Sequence, residues 1–319
     1  MARGVTDLLG IDAELDDVLL DFAFLADYYR DSHPANAGDV SMLLSNPIAQ
    51  RILDKFLDSA SAWFPLDKLG LLATIRNDGR TGYRAQGIRQ PLFYEHIHAI
   101  AGRSLLITRT GSQIPSLRSS VSRYKDGELL TVIQVNEAAD CIRIVFGNSQ
   151  YGSIPSIETH VHLLGNSIML SHGAQSSAVV HAHPPHLVLL GRHPRIQGNF
   201  ERFNAALYTQ VEGILRNYTG LVGIVPYAQS GTEDLLVQTI GPFVKYQLLL
   251  WMNHGFIVRE SSIRRAYTLL AYAEDAARSA IETFSTGGLG LPFEAVRSFL
   301  TQNSLVDAYV KLFAAHFKS

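Results

Sequence analysis

Apolar residues recur at helical spacing through residues 12–30. Leu15, Val18, Leu19, Phe22, Leu25 and Tyr29 share one face with acids between them, which predicts an amphipathic helix. Asn46-Pro47 reads as an N-cap followed by a first-turn proline, with Ile52, Leu53, Phe56, Leu57 and Ala60 as the stripe behind it. Residues 1–70 are therefore expected to form a helical extension packed on another layer. Short apolar runs then begin to alternate with helical stripes. Ser104–Thr108, Leu129–Val135 and Ile142–Phe146 read as strands bounded by glycine-bearing turns. A helix is expected to open at Pro155-Ser156, and a strand at Val179-Val180 that Pro184-Pro185 ends. Downstream the pattern predicts a helix near 199–216 with Asn199 as cap, a strand at Leu221–Val225 and a helix opened by Thr232-Glu233-Asp234. The run Tyr246–Val258 reads as one buried strand interrupted at His254-Gly255, followed by a long alanine-rich helix over 262–284 and a final helix after 292. Strands alternating with helices imply α/β layers.

Composition narrows the class without choosing the chemistry. The 319 residues are 47% hydrophobic and 18% charged, as in a globular chain with a full core. A net charge of −2 leaves no electrostatic footprint for nucleic acid or an anionic membrane. No uncharged apolar run approaches the ~20 residues of a membrane helix, and the N-terminus shows no signal-peptide pattern. The single cysteine, Cys141, excludes an intrachain disulfide framework, so a cytoplasmic compartment is expected.

The chemistry concentrates at His181-Ala182-His183. Strand side chains alternate, so His181 and His183 leave one face and can share a metal ion; two structural histidines fit the same spacing. The other His-x-His pairs, His96/His98 and His160/His162, fall in segments that read as helical, where residues two apart point away from each other. Glu158 is expected in the first turn of its helix, where the helix dipole favours its carboxylate. The segment 77–87 packs Gly79, Gly82 and Gly87 beside Arg80, Arg84 and nearby Arg89, and Arg109-Thr110-Gly111-Ser112 forms a second polar turn. Both suit an anion pocket, and both suit ordinary surface loops.

Glu158, then His181-Ala182-His183, then Asn253-His254-Gly255 before a long helix resembles the class II aldolase/adducin family, over about residues 70–285. The resemblance implies a three-layer α/β/α sheet, a catalytic domain over 71–285 and a C-terminal helical extension over 286–319. It implies one Zn²⁺ per subunit on His181, His183 and His254, with Glu158 as acid/base. It also aligns Gly79 and Arg80 with the family's Gly-Asn phosphate loop, Thr110-Gly111 with its second phosphate turn, and Ser156 with the first serine of its Ser-Ser-Glu motif. The implied activity is reversible retro-aldol cleavage of a ketose, expected as a ketose 1-phosphate, through a metal-stabilised enediolate. A homotetramer acting on a small sugar or sugar phosphate is implied as well.

Arg80, Gly82 and Ile157 depart from the family pattern, and an isoleucine cannot donate to a phosphate. The metal chemistry is thus more firmly implied than the phosphate. Pentulose-phosphate 4-epimerases of the same family typically carry aspartate at the position of Glu158, which favours cleavage here. Adducin-like scaffolds generally lose the zinc histidines that this chain keeps. A cupin site also uses His-x-His, but no carboxylate follows His183 closely and the alternating helices do not suit an all-β barrel.

Overall fold

The computed structural model describes residues 13–32, 38–57, 61–68, 89–109, 129–147, 155–210, 212–218, 220–288 and 290–302. It is a mixed α/β fold that divides into two compact units.

In the unit formed by 1–182, 228–241 and 259–266, helix α1 (Ala13–Ser32) buries Leu15, Val18, Leu19, Phe22 and Leu25, the stripe read from the sequence. Helix α2 (Asn46–Phe56) follows, with Ser45 rather than Asn46 at the N-cap. Strands β1 (Asp39–Leu43), β2 (Phe64–Pro65), β3 (Ser104–Thr108), β4 (Leu130–Val135), β5 (Cys141–Phe146) and β6 (Ala178–Ala182) run in the order β2-β5-β4-β3-β1-β6. All of these neighbours are antiparallel. Residues 39–43 and 64–65, expected within a helical extension, are strands instead. β1 fills the place between β3 and β6, pairing Ser41 with Ile107 on one side and Asp39 with His181 on the other. Its short Val40-Ser41-Met42-Leu43 alternation carries no helical period, and two flanking ladders satisfy its backbone on both edges. Helix α3 (Pro91–Ile97) carries His96, and a 3₁₀ turn carries His98. Helix α4 (Thr159–Ser171) packs on β1 and β6 and is buried along most of its length.

The second unit comprises 183–227, 242–258 and 267–319. Pro185 starts helix α5 (Pro185–Arg192). The helix expected over 199–216 is two, α6 (Phe200–Tyr208) and α7 (Glu212–Asn217). At the break the Thr209 hydroxyl bonds back to the Ala205 carbonyl at 2.9 Å, a local alternative to continuing the helix. Asn199 caps α6 as expected, accepting from the Arg202 N–H at 2.9 Å. Strand β7 (Val222–Val225) lies parallel to β8 (Leu248–Trp251), and β8 pairs with β9 (Gly255–Glu260) as an antiparallel hairpin. The run read as one interrupted strand is thus two strands and a turn. Asn253 takes the left-handed conformation at φ 59°, which asparagine adopts more readily than most residues. Helices α8 (Glu233–Lys245) and α9 (Ile263–Thr286) each contribute residues to both units, and α10 (Phe293–Gln302) is the last described element. No helix among the described residues is long and apolar enough to cross a membrane.

Candidate functional site

His181 is the penultimate residue of the fully buried strand β6, and His183 stands just past its end, where Pro184 and Pro185 stop the ladder. His254 closes the β8–β9 turn, its N–H donating to the Trp251 carbonyl at 3.1 Å. Its ring stacks on Trp251 at 5.1 Å between centroids and 21° between planes, and faces His183 at 5.2 Å. One ring nitrogen from each of His181, His183 and His254 lies within 4.8 Å of the other two. Three neutral imidazole donors converging in this way fit a borderline-soft dication such as zinc.

A carboxylic acid stands beside this cluster. Glu158 is 3% exposed, and its Oε2 lies 3.3 Å from His181 Nε2. Burial, the charge of Asp39 and a hydrogen bond to Asp39 together raise its pKa well above the usual carboxylate range. Asp39 behaves oppositely. Burial alone would raise it, but His162, His181 and the Ser156 hydroxyl hold its pKa below the ordinary aspartate value. Two adjacent carboxyl groups pushed apart in this way divide into one that holds a proton and one that stays charged.

Asp39 is absent from the sequence reading, which also gives no role to His162, Ser41 or Asn166. Asp39 Oδ1 accepts from His162 Nε2 at 2.7 Å, and Asp39 Oδ2 accepts from the Ser156 hydroxyl. His162 Nδ1 meets Ser41 Oγ at 2.7 Å, and Asn166 Nδ2 donates to that same Oγ at 2.9 Å. The signal available in the sequence is an acid, Asp39, opening the short alternating run Val40-Ser41-Met42-Leu43. His162 was passed over because its helix turns it away from His160.

Ser156, expected to hold an anion, is buried, and its hydroxyl hydrogen is committed to Asp39 while its oxygen accepts the Glu158 N–H at 3.1 Å. These two bonds tie the turn from Ser156 to Glu158 to strand β1. Gly79, Arg80, Thr110 and Gly111 lie outside the described residues. The strand leading to Thr110 does meet the Ser156 turn: Arg109 bridges Pro155, and the Ser156 N–H donates to the Thr108 carbonyl at 3.0 Å.

In the second unit, buried Glu274 of α9 holds the start of α5. Its oxygens accept from the N–H groups of His186 at 3.0 Å and Leu187 at 2.9 Å, and from His186 Nδ1 at 2.7 Å. A carboxylate on these helix N-terminal donors satisfies groups that the helix itself leaves open.

Over residues 96–281 the chain matches the family described as Class II Aldolase and Adducin N-terminal domain. It is 26% identical over 191 residues to the rhamnulose-1-phosphate aldolase of Listeria innocua, covering 60% of this chain and 67% of that protein. It is 25% identical over 162 residues to the rhamnulose-1-phosphate aldolase of Yersinia pestis, covering 50% and 58%. A sugar-phosphate aldolase structure from Thermotoga maritima superposes with a TM-score of 0.62 at 18% identity, over 86% of this chain and 98% of that one, a likeness of fold.

Proposed function

The chain belongs to the class II aldolase and adducin family, and from that premise we propose that it is a zinc-dependent carbon–carbon lyase performing reversible retro-aldol cleavage of a ketose 1-phosphate. The observation that carries this reading is the convergence of His181, His183 and His254. These three would hold the ion, which when bound supplies Lewis acidity to the oxygens of the ketose. Glu158, buried against His181 with its proton favoured by burial and by Asp39, gives or takes the proton at the carbon where the bond breaks. Glu158 is buried, which strengthens its interaction with developing charge. No lysine is required. The ketose 1-phosphate is supported by the names of the relatives and by the resemblance of the sequences at Gly79-Arg80 and Thr110-Gly111 to the family's phosphate segments. The family resemblance supports a homotetramer, and the lone cysteine a reducing, cytoplasmic setting.

The test is a screen of zinc-loaded protein over ketose 1-phosphates and their unphosphorylated counterparts, reading aldehyde release. His181→Ala or His254→Ala should abolish both zinc content and cleavage, and Glu158→Gln should keep zinc and lose most of the rate. Inversion at C4 of a pentulose phosphate without aldehyde release would move the assignment to an epimerase. A fully active variant without metal would overturn it.

A further inference from the structure

Strand β1 lies upstream of the matched region 96–281, yet it brings a carboxylate to the proposed proton-transfer group. Glu158 needs outside support, because its own helix gives it little. It is the N-cap of α4 at φ −99° and ψ 16°, and its side chain makes no capping bond. The turn that carries it, Ser156-Ile157-Glu158, is held instead by the Ser156 hydroxyl, which accepts the Glu158 N–H at 3.1 Å and donates to Asp39 Oδ2. Asp39 thus holds the backbone of Glu158 through one serine. Its charge also acts on the Glu158 carboxyl, favouring the protonated form that can donate to it.

Asp39 is itself fixed from two directions. Across the β1–β6 ladder it sits opposite His181, and directly opposed residues of an antiparallel pair point to the same face. Its second oxygen takes the His162 Nε2 hydrogen at 2.7 Å, and His162 is held at its other nitrogen by Ser41, which Asn166 holds in turn. A carboxylate has enough lone pairs for His162, Ser156 and Glu158 together. An amide of the same shape does not, because one of its two heavy atoms only donates.

We propose that Asp39 is the positioning residue that aims Glu158 at the histidine cluster, acting with Ser156 and His162. The inference rests on the reading of Glu158 as the group that moves the proton. Asp39 contributes no ring nitrogen to the histidine cluster, so its replacement should leave the three imidazoles able to hold zinc. What it sets is the direction of a carboxyl group, and a shift of about 1 Å in a reacting group costs on the order of a hundredfold in rate.

The test compares full-length, zinc-loaded wild type with Asp39→Asn and Ser156→Ala. Zinc content, kcat and KM are measured on the ketose that the wild type cleaves best, and a crystal structure of each protein locates Glu158. Asp39→Asn should retain one zinc per chain and keep KM within about threefold while kcat falls by about a hundredfold. Its Glu158 carboxyl should turn away from His181. Ser156→Ala should show the same split with a loss of about tenfold, and it decides the matter alone if Asp39→Asn does not fold. Wild-type kcat, or an unmoved Glu158 carboxyl, in the variant that folds overturns the proposal. A wild type that cleaves no ketose overturns the aldolase reading instead, and the position of Glu158 in the crystal structures still decides whether Asp39 aims it.

Discussion

His160 makes pH a direct probe of this interior. It is 3% exposed, and its Nε2 has no hydrogen-bond partner among the described residues. Burial, and then the neighbouring His162, pull its pKa down from 6.5 to about 4, with Asp39 pulling weakly the other way. A folded-state value below the unfolded one means that, between the two, only the unfolded chain binds the proton. Stability at this residue is therefore intact above about pH 6.5 and declines as pH falls toward 4. A shift of about 2.5 units corresponds to ~3 kcal/mol across that window, of which about 2 kcal/mol is lost by pH 5. His160→Gln keeps a polar side chain and removes the titration. Urea denaturation of the metal-stripped wild type and variant at pH 7 and pH 5 gives the comparison. Asp39 and Glu158 titrate in both proteins. Asp39, with its lowered pKa, gives stability that is lost only in stronger acid; Glu158, with its raised pKa, gives stability in acid that fades as pH rises. Taking the difference between the proteins removes both. The wild type should lose about 2 kcal/mol more than the variant between pH 7 and pH 5. Equal losses in the two proteins would refute the reasoning.

Two further outcomes follow from the surroundings of the histidines. Glu274→Gln replaces one acceptor with an amide that faces the donors at the start of α5, and should cost about 2 kcal/mol in urea denaturation. Zinc affinity, measured against a chelating dye, should fall by about tenfold or more, because α5 begins two residues past His183; an unchanged affinity would show that Glu274 does not steer this ligand. The chain has two tryptophans, so Trp63→Phe leaves only Trp251, stacked on His254. Its emission should change on zinc titration and saturate at one ion per chain, whereas a flat titration would exclude His254 as a ligand.

The parts of this protein that a local pattern encodes were legible in its sequence. The stripe of α1, the cap of α6 and the run of β6 each follow from residues a few positions apart. His181 and His183 were readable for the same reason, since a strand end places alternate side chains on one face. Their link to His254 came from resemblance, because no local spacing brings a hairpin turn to that strand. The hairpin itself was misread: its turn uses Asn253 in a left-handed conformation, without the glycine at that position that would have marked it. Asp39 was hidden because its partners, Ser156, Glu158, His162 and His181, all lie more than a hundred residues downstream. Ser156 was read for its hydroxyl and assigned to an anion; only the fold shows that an aspartate already claims the hydrogen.

The place of β1 also bears on the order in which this protein is made. A ribosome delivers Asp39–Leu43 before either neighbouring strand has been synthesised, and both of its ladders close long loops. The strand has to wait for β3 and then for β6 before its backbone is paired on both edges. Until it docks, Glu158 has no aspartate beside it. A nascent chain that has not yet emerged past β6 therefore lacks the Asp39–Glu158 pair, which arrives together with the closing of the sheet.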